Sequence, residues 1–214
     1  MLTYSLLKNH AGILLTGDYS SLKSLHEVVH EVNEKSPLVK NKEGIFLGLA
    51  YDARKAFEKQ REVIKPPEHF PEIGIRFGVK ILWPVLLVQS RVLRASMAFM
   101  ESTKWQQAVA YNMEAVIEAA LRADFGAQSE VLIDRWMRID PSHPWPMDKI
   151  ISRGAIFCSW TKSERRRRLA GLLSSLDPMY PAIYPMWTRN GDKTLISPEE
   201  LDSWEEVEWP DPKC

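Results

Sequence analysis

The chain has 214 residues, 45% hydrophobic and 26% charged, with 28 basic side chains balanced by 28 acidic ones. That composition excludes a disordered chain. The zero net charge excludes a protein drawn to nucleic acid or an anionic membrane by its overall field. The only cysteines, Cys158 and Cys214, are too few and too far apart for a disulfide scaffold or a cysteine metal framework.

MLTYSLLKNHAG has neither a basic leader nor a long apolar run. The most apolar stretch, residues 77–100, has only ten uncharged residues between Lys80 and Arg91, where a membrane span needs about 20. Both features predict a cytoplasmic protein with no membrane association. Leu2, Tyr4 and Leu6 alternate with Thr3 and Ser5, Asn9-His10-Ala11-Gly12 turns, and Ile13–Thr16 returns, so the chain opens with a hairpin. A helix over roughly 20–35 follows, capped by Asp18 or Ser20, with Leu22, Leu25, Val28, Val29 and Val32 on one stripe. Ser36-Pro37 stops it. A second helix is predicted from Gly44 to Val63, ended by Pro66-Pro67.

EIGIRFGVK alternates: Ile73, Ile75, Phe77 and Val79 fall on one face of a strand over 72–80. Pro84 opens a largely buried helix reaching about Met100, in which Gln89 and Ser96 are polar positions within the apolar arc. Further helices are predicted over 104–125, 129–139, 147–160 and 162–176, with a proline-rich break at 140–146. The last of them opens with the capping-box pattern Thr161-Lys162-Ser163-Glu164. Tyr180, Tyr184 and Trp187, at i, i+4 and i+7, read as a clamp for a C-terminal segment. The end is a short helix and an acidic tail. The fold class is α+β, mainly helical, with a small antiparallel sheet near the N-terminus and a multi-helix array. We read one domain over 1–204, with a sheet-containing part (1–82) and a helical part (83–204), then a tail over 205–214.

MLTYSLLKNHAGILLTGDY, KEGIFLGLAYDARKAFEKQR and FGVKILWP together resemble a family of uncharacterised bacterial proteins, a domain of unknown function. The resemblance lies mainly in the first 100 residues. It implies a bacterial cytosolic protein and supplies no catalytic residue.

The sharpest motif is His26-Glu27-Val28-Val29-His30, which fits H-E-x-x-H. Two histidines at i and i+4 on a helix can hold zinc while the glutamate activates its water. A third ligand is required, and Asp52 or Glu58 are the candidates. The polar flank Lys23, Ser24 and Glu31 argues instead for a solvated helix shoulder with i,i+3 and i,i+4 pairs. Arg91 and Arg94 are candidate anion ligands, and Glu114 and Glu118 form an i,i+4 carboxylate pair on the following helix. Arg165–Arg168 sweep around about 300° of a helix and cannot share one face. Arg165 and Arg168 lie near the apolar stripe, their stems covering it and their guanidinium groups reaching out. Residues 148–168 carry net +5 and residues 198–214 net −6, which suggests that the tail docks on the basic helix pair.

No phosphate loop, nucleophile elbow or dinucleotide fingerprint is present in the sequence. We therefore expect no cofactor and a non-enzymatic role as a protein-interaction or regulatory domain, with an unknown protein partner or self-association. The alternatives are a zinc-dependent hydrolase using His26, Glu27 and His30, and nucleic-acid binding through the Arg165–Arg168 helix.

Overall fold

In a computed structural model, which describes residues 1–191 and 194–214, the chain is mainly helical with a small antiparallel sheet of four strands, in the order β1 (Thr3–Leu6), β2 (Gly12–Gly17), β4 (Arg76–Leu82), β3 (Glu62–Ile64). It forms two compact units. One comprises Met1–Leu6, Ile13–Ile81 and Val92–Ala120; the other comprises Leu7–Gly12, Leu82–Arg91 and Leu121–Cys214.

In the first unit, β1 (Thr3–Leu6) and β2 (Gly12–Gly17) pair as the predicted hairpin, with Thr3 opposite Thr16 and Leu6 opposite Ile13. Asp18 caps α1 (Tyr19–Lys35), its side chain accepting from the Ser21 N–H. The predicted apolar stripe is buried and packs on α2 (Ile45–Phe57), which contributes Phe46, Leu49, Ala50 and Ala53.

The second helix ends six residues earlier than its sequence suggests. Lys59 takes a left-handed conformation (φ 64°), and the Gln60 N–H returns to the Lys55 carbonyl at 2.8 Å. This is a helix-terminating turn of the kind usually built on glycine. The chain thereby released forms β3 (Glu62–Ile64), paired antiparallel with β4 (Arg76–Leu82) so that Val63 faces Phe77. The expected strand start also shifts. Pro71–Ile73 is a short 3-10 turn, Gly74 has φ 73°, and Ile73 and Ile75 are exposed, while Phe77, Val79 and Ile81 keep the alternation and face the core.

The helix beginning at Pro84 is α3 (Trp83–Ser96), shorter than predicted because Met97, Ala98 and Phe99 switch to i→i−3 bonds. Ser96 at its end accepts from the buried Ser36 hydroxyl at 2.8 Å, so this polar position is satisfied from α1's terminus. α4 (Lys104–Phe125) matches its predicted span.

The second unit is built on α5 (Ser129–Met137), α6 (Trp145–Ser159), α7 (Lys162–Ser174), α8 (Tyr180–Arg189) and α9 (Pro198–Asp202). Trp83, Trp136, Phe125, Phe157 and Tyr180 are its large buried side chains. Trp136 donates its indole N–H to the Leu87 carbonyl and Ser90 hydroxyl, both at 3.0 Å. Thr161 and Glu164 form the predicted capping box at the start of α7. Tyr180 clamps the returning chain: its hydroxyl donates to the Ile196 carbonyl at 2.8 Å.

The tail runs back over α6. Gly154 permits this, because a Cβ there would lie 2.1 Å from the Trp209 ring. Lys149–Glu205 pairs at the start of the tail, and Arg168–Glu200 holds α9 just before it, through both carboxylate oxygens at 2.6 and 2.8 Å. Opposite charge thus contributes at two points, but the centre of the contact is a backbone clasp around Arg165.

A candidate anion-binding cleft

The site begins with a turn that the sequence marks only as a turn. Asn9 and His10 are both left-handed (φ 58° and 52°), an uncommon state that asparagine and histidine adopt more readily than most residues. Backbone bonds on either side hold it: Leu7 N–H to Gly12 O at 3.0 Å, Ala11 N–H to Lys8 O at 3.1 Å, and Trp83 N–H to Ala11 O at 3.1 Å.

The turn presents the His10 ring to the last turn of α4. Nδ1 lies 2.8 Å from Asp124 Oδ1, and the ring packs on Phe125 with centroids 5.3 Å apart. Asp124 is fixed in turn, its Oδ2 accepting from the Trp83 indole N–H at 2.9 Å. The two side chains are only 10% and 7% exposed. An ionised carboxylate only accepts hydrogen bonds, so this contact puts a hydrogen on Nδ1. Nε2 is left as the atom His10 can offer elsewhere; it has no hydrogen-bond partner among the described residues.

His10 lines a cleft of about 370 Å³ whose other walls are Thr161, Lys162, Ser163 and Arg166. These four come from the N-cap and first turns of α7, where unpaired N–H groups and the helix dipole favour negative charge. The capping box consumes Glu164: its carboxylate accepts from the Thr161 N–H at 2.8 Å and hydroxyl at 2.7 Å. The backbone bond, then the side-chain bond, from Thr161 holds the Glu164 carboxyl below its usual range. Lys162 and Arg166 have no ion-pair partner among the described residues. The cleft therefore gathers two cations, a hydroxyl pair (Thr161 and Ser163 Oγ atoms 3.2 Å apart) and an oriented imidazole.

Arg165, on the same helix, is spent on structure. It is 1% exposed, and its guanidinium donates to Phe157 O at 3.1 Å, Cys158 O at 3.0 Å, Asn9 O at 3.4 Å and Pro212 O at 2.6 Å. The expectation that this guanidinium reaches out is corrected. The open carbonyls at the C-terminus of α6 and the tail's Pro212 carbonyl draw it inward, at the negative end of a helix dipole. Burial, opposed by only weak nearby charge, pushes its pKa down. Asn9, clasped by Arg165 through its carbonyl, also donates its amide to Lys213 O at 2.8 Å.

Arg168 pairs with Glu200 and stacks over Trp160, 4.9 Å from the ring centroid. Arg94 contacts Glu114 at 3.4 Å and lies over the Tyr111 ring, bonding its hydroxyl. Arg91 reaches Ile139 O at 3.4 Å and Met137 Sδ at 3.8 Å.

The HEVVH face brings its two rings together, centroids 4.5 Å apart. Around them the structure supplies structural partners. His26 Nδ1 is 3.0 Å from the Ala50 carbonyl, Glu27 lies 3.7 Å from Lys23, and Glu31 pairs with Lys35 at 2.6 Å. Desolvation, then the neighbouring His26 and Arg54, lower the His30 pKa. Asp52 is 3.5 Å from Arg61, and burial raises its pKa against that pairing. Glu58 accepts from Gln60 at 3.1 Å. Among the described residues, no group of three or more His, Cys, Asp or Glu side chains converges closely enough to hold a metal ion, and no helix is long and apolar enough to cross a membrane.

Residues 2–211 match the family described as Domain of unknown function (DUF6904). No curated protein matches the chain. No solved structure matches it either.

Proposed function

We propose that this chain, which belongs to that family of unknown function, is a non-enzymatic regulatory domain of the cytoplasm that works by binding an anion in the His10 cleft. One observation carries the reading. A buried imidazole, oriented by Asp124, lines the same cleft as two cations without ion-pair partners and the first turn of α7. The side chains supply charge and hydrogen-bond donors on one side of a space of about 370 Å³, within the size range of small-molecule sites.

Binding is favoured over turnover by the hydroxyl geometry. Ser163 Oγ is partnered with Thr161 Oγ1 rather than with His10, so it lacks the base contact of a nucleophile. The cytoplasmic assignment is supported by two widely spaced cysteines, one of them buried.

Calorimetric titration with inorganic phosphate tests the reading. Saturable one-to-one binding is expected, weakening with added salt and falling at least about tenfold in a Lys162→Ala/Arg166→Ala double variant, the loss of two charge-assisted contacts. Unsaturable binding, or unchanged affinity in a folded double variant, would contradict it.

A further inference from the structure

The chemistry of His10 narrows the anion to one class, an inference that rests on the cleft being an anion site. With Nδ1 hydrogen-bonded to Asp124 Oδ1 at 2.8 Å, the neutral ring offers Nε2 as an acceptor, and only the imidazolium offers it as a donor. The charged groups around the ring are Asp124 from α4 and Lys162 and Arg166 from α7. Lys162 and Arg166 donate only, as do the N–H groups of the α7 first turn. Nε2 of the neutral ring is thus an acceptor among donors. An anion with no proton of its own presents a lone pair to this lone pair and gains the contact only by charging the ring.

We infer that the cleft takes a phosphate monoester, held with one proton shared between a phosphate oxygen and His10 Nε2. A monoester has a second pKa of about 6, so the phosphate can itself carry the shared proton into the contact, which a fully ionised anion cannot. The remaining oxygens face Lys162, Arg166 and the Ser163 hydroxyl. A sulfate ester has the same shape but no proton to share. A carboxylate lacks the third oxygen. The cleft exceeds the volume of a phosphate group alone, leaving room for the esterified part.

The test compares phenyl phosphate with phenyl sulfate at pH 7 on the full chain, with calorimetry in two buffers of different ionisation enthalpy. Phenyl phosphate should bind at least about tenfold tighter, because the sulfate ester gains the Nε2 contact only by charging the ring, whereas the phosphate makes it with a proton of its own. The sulfate ester should take up a proton from buffer as it binds, and the phosphate ester should take up less. His10→Asn, which suits the left-handed backbone, should bring the two affinities within about twofold. Lys162→Ala should weaken both esters together and keep their ratio. A phosphoserine peptide, run beside phenyl phosphate, tells whether the group arrives on a polypeptide or a small molecule; tighter binding of either than of phenyl sulfate supports the proposal. Equal affinity for the two phenyl esters overturns the proposal while leaving an anion site standing. A full phosphate preference in His10→Asn also overturns it, because charge alone would then explain the selectivity. Failure of every ester to bind overturns the anion reading itself.

Discussion

Two histidine pairings in this molecule invite the same chemical question and resolve it differently. His26 and His30 stand one helical turn apart, their rings 4.5 Å from each other, on a shoulder where His30 is exposed. Their surroundings are the Ala50 carbonyl beside His26, and Arg54 and Glu34 near His30. His10 meets Asp124 across 114 positions of sequence, inside a shell formed by Trp83 and Phe125. The first pair has the spacing of a site without converging partners. The second has no spacing at all, yet one ring nitrogen is fixed and the other is left for a cleft. Orientation by a buried partner distinguishes a poised imidazole from a surface one.

The largest expected effect that separates the two regions is on stability. Asp124→Ala strands the Trp83 indole N–H and His10 Nδ1, two buried donors. It should cost about 3 kcal/mol in denaturant unfolding, from about 1–3 kcal/mol per unsatisfied group. A cost below about 1 kcal/mol would show that the buried pair is held no more firmly than the exposed one. Next is the scaffold of the cleft. Thr161→Ala removes the cap that accepts from the Glu164 N–H and should cost about 1 kcal/mol. It should also loosen hydrogen exchange over residues 162–165; unchanged exchange would show that the first turn is held by something else.

The helix shoulder should respond least to mutation. His26→Ala/His30→Ala should change stability by no more than about 0.5–1 kcal/mol, the range of a partly exposed hydrogen bond, and purified wild-type protein should carry no stoichiometric zinc. Stoichiometric zinc, lost with His30→Ala, would revive the metal reading.

A smaller sign-specific effect concerns pH. Glu164 is held below its ordinary range by Thr161. The stability it contributes is full above the unfolded carboxylate pKa, about 4.3, and is lost as pH falls through the folded value. Protection of the first turn of α7 should therefore decline below about pH 4.3 in wild type and be flat there in Glu164→Gln.

What the sequence made readable follows from range. The hairpin, the α1 stripe under its Asp18 cap, the span of α4 and the capping box all depend on neighbours within a few positions, and all four are found. The end of α2 escaped because a lysine, Lys59, occupies the left-handed position where a glycine would have marked the stop. β3 escaped with it, since a three-residue strand has no period of its own. Arg165 was readable as lying near an apolar stripe. Its burial was not, because its acceptors come from residues 9, 157, 158 and 212. The cleft is the extreme case. His10 is part of Asn9-His10-Ala11-Gly12, a turn signal, and Asp124 lies unmarked within the helix predicted over 104–125. Nothing in either local context names the other.

Which histidine answers an anion is measured directly by ¹⁵N NMR of the imidazole nitrogens during a phosphate titration. A saturable change at His10 Nε2, with Nδ1 keeping its hydrogen toward Asp124 and with His26 and His30 unmoved, is the predicted result. A His10 that stays silent, or a response confined to His26 and His30, would contradict it.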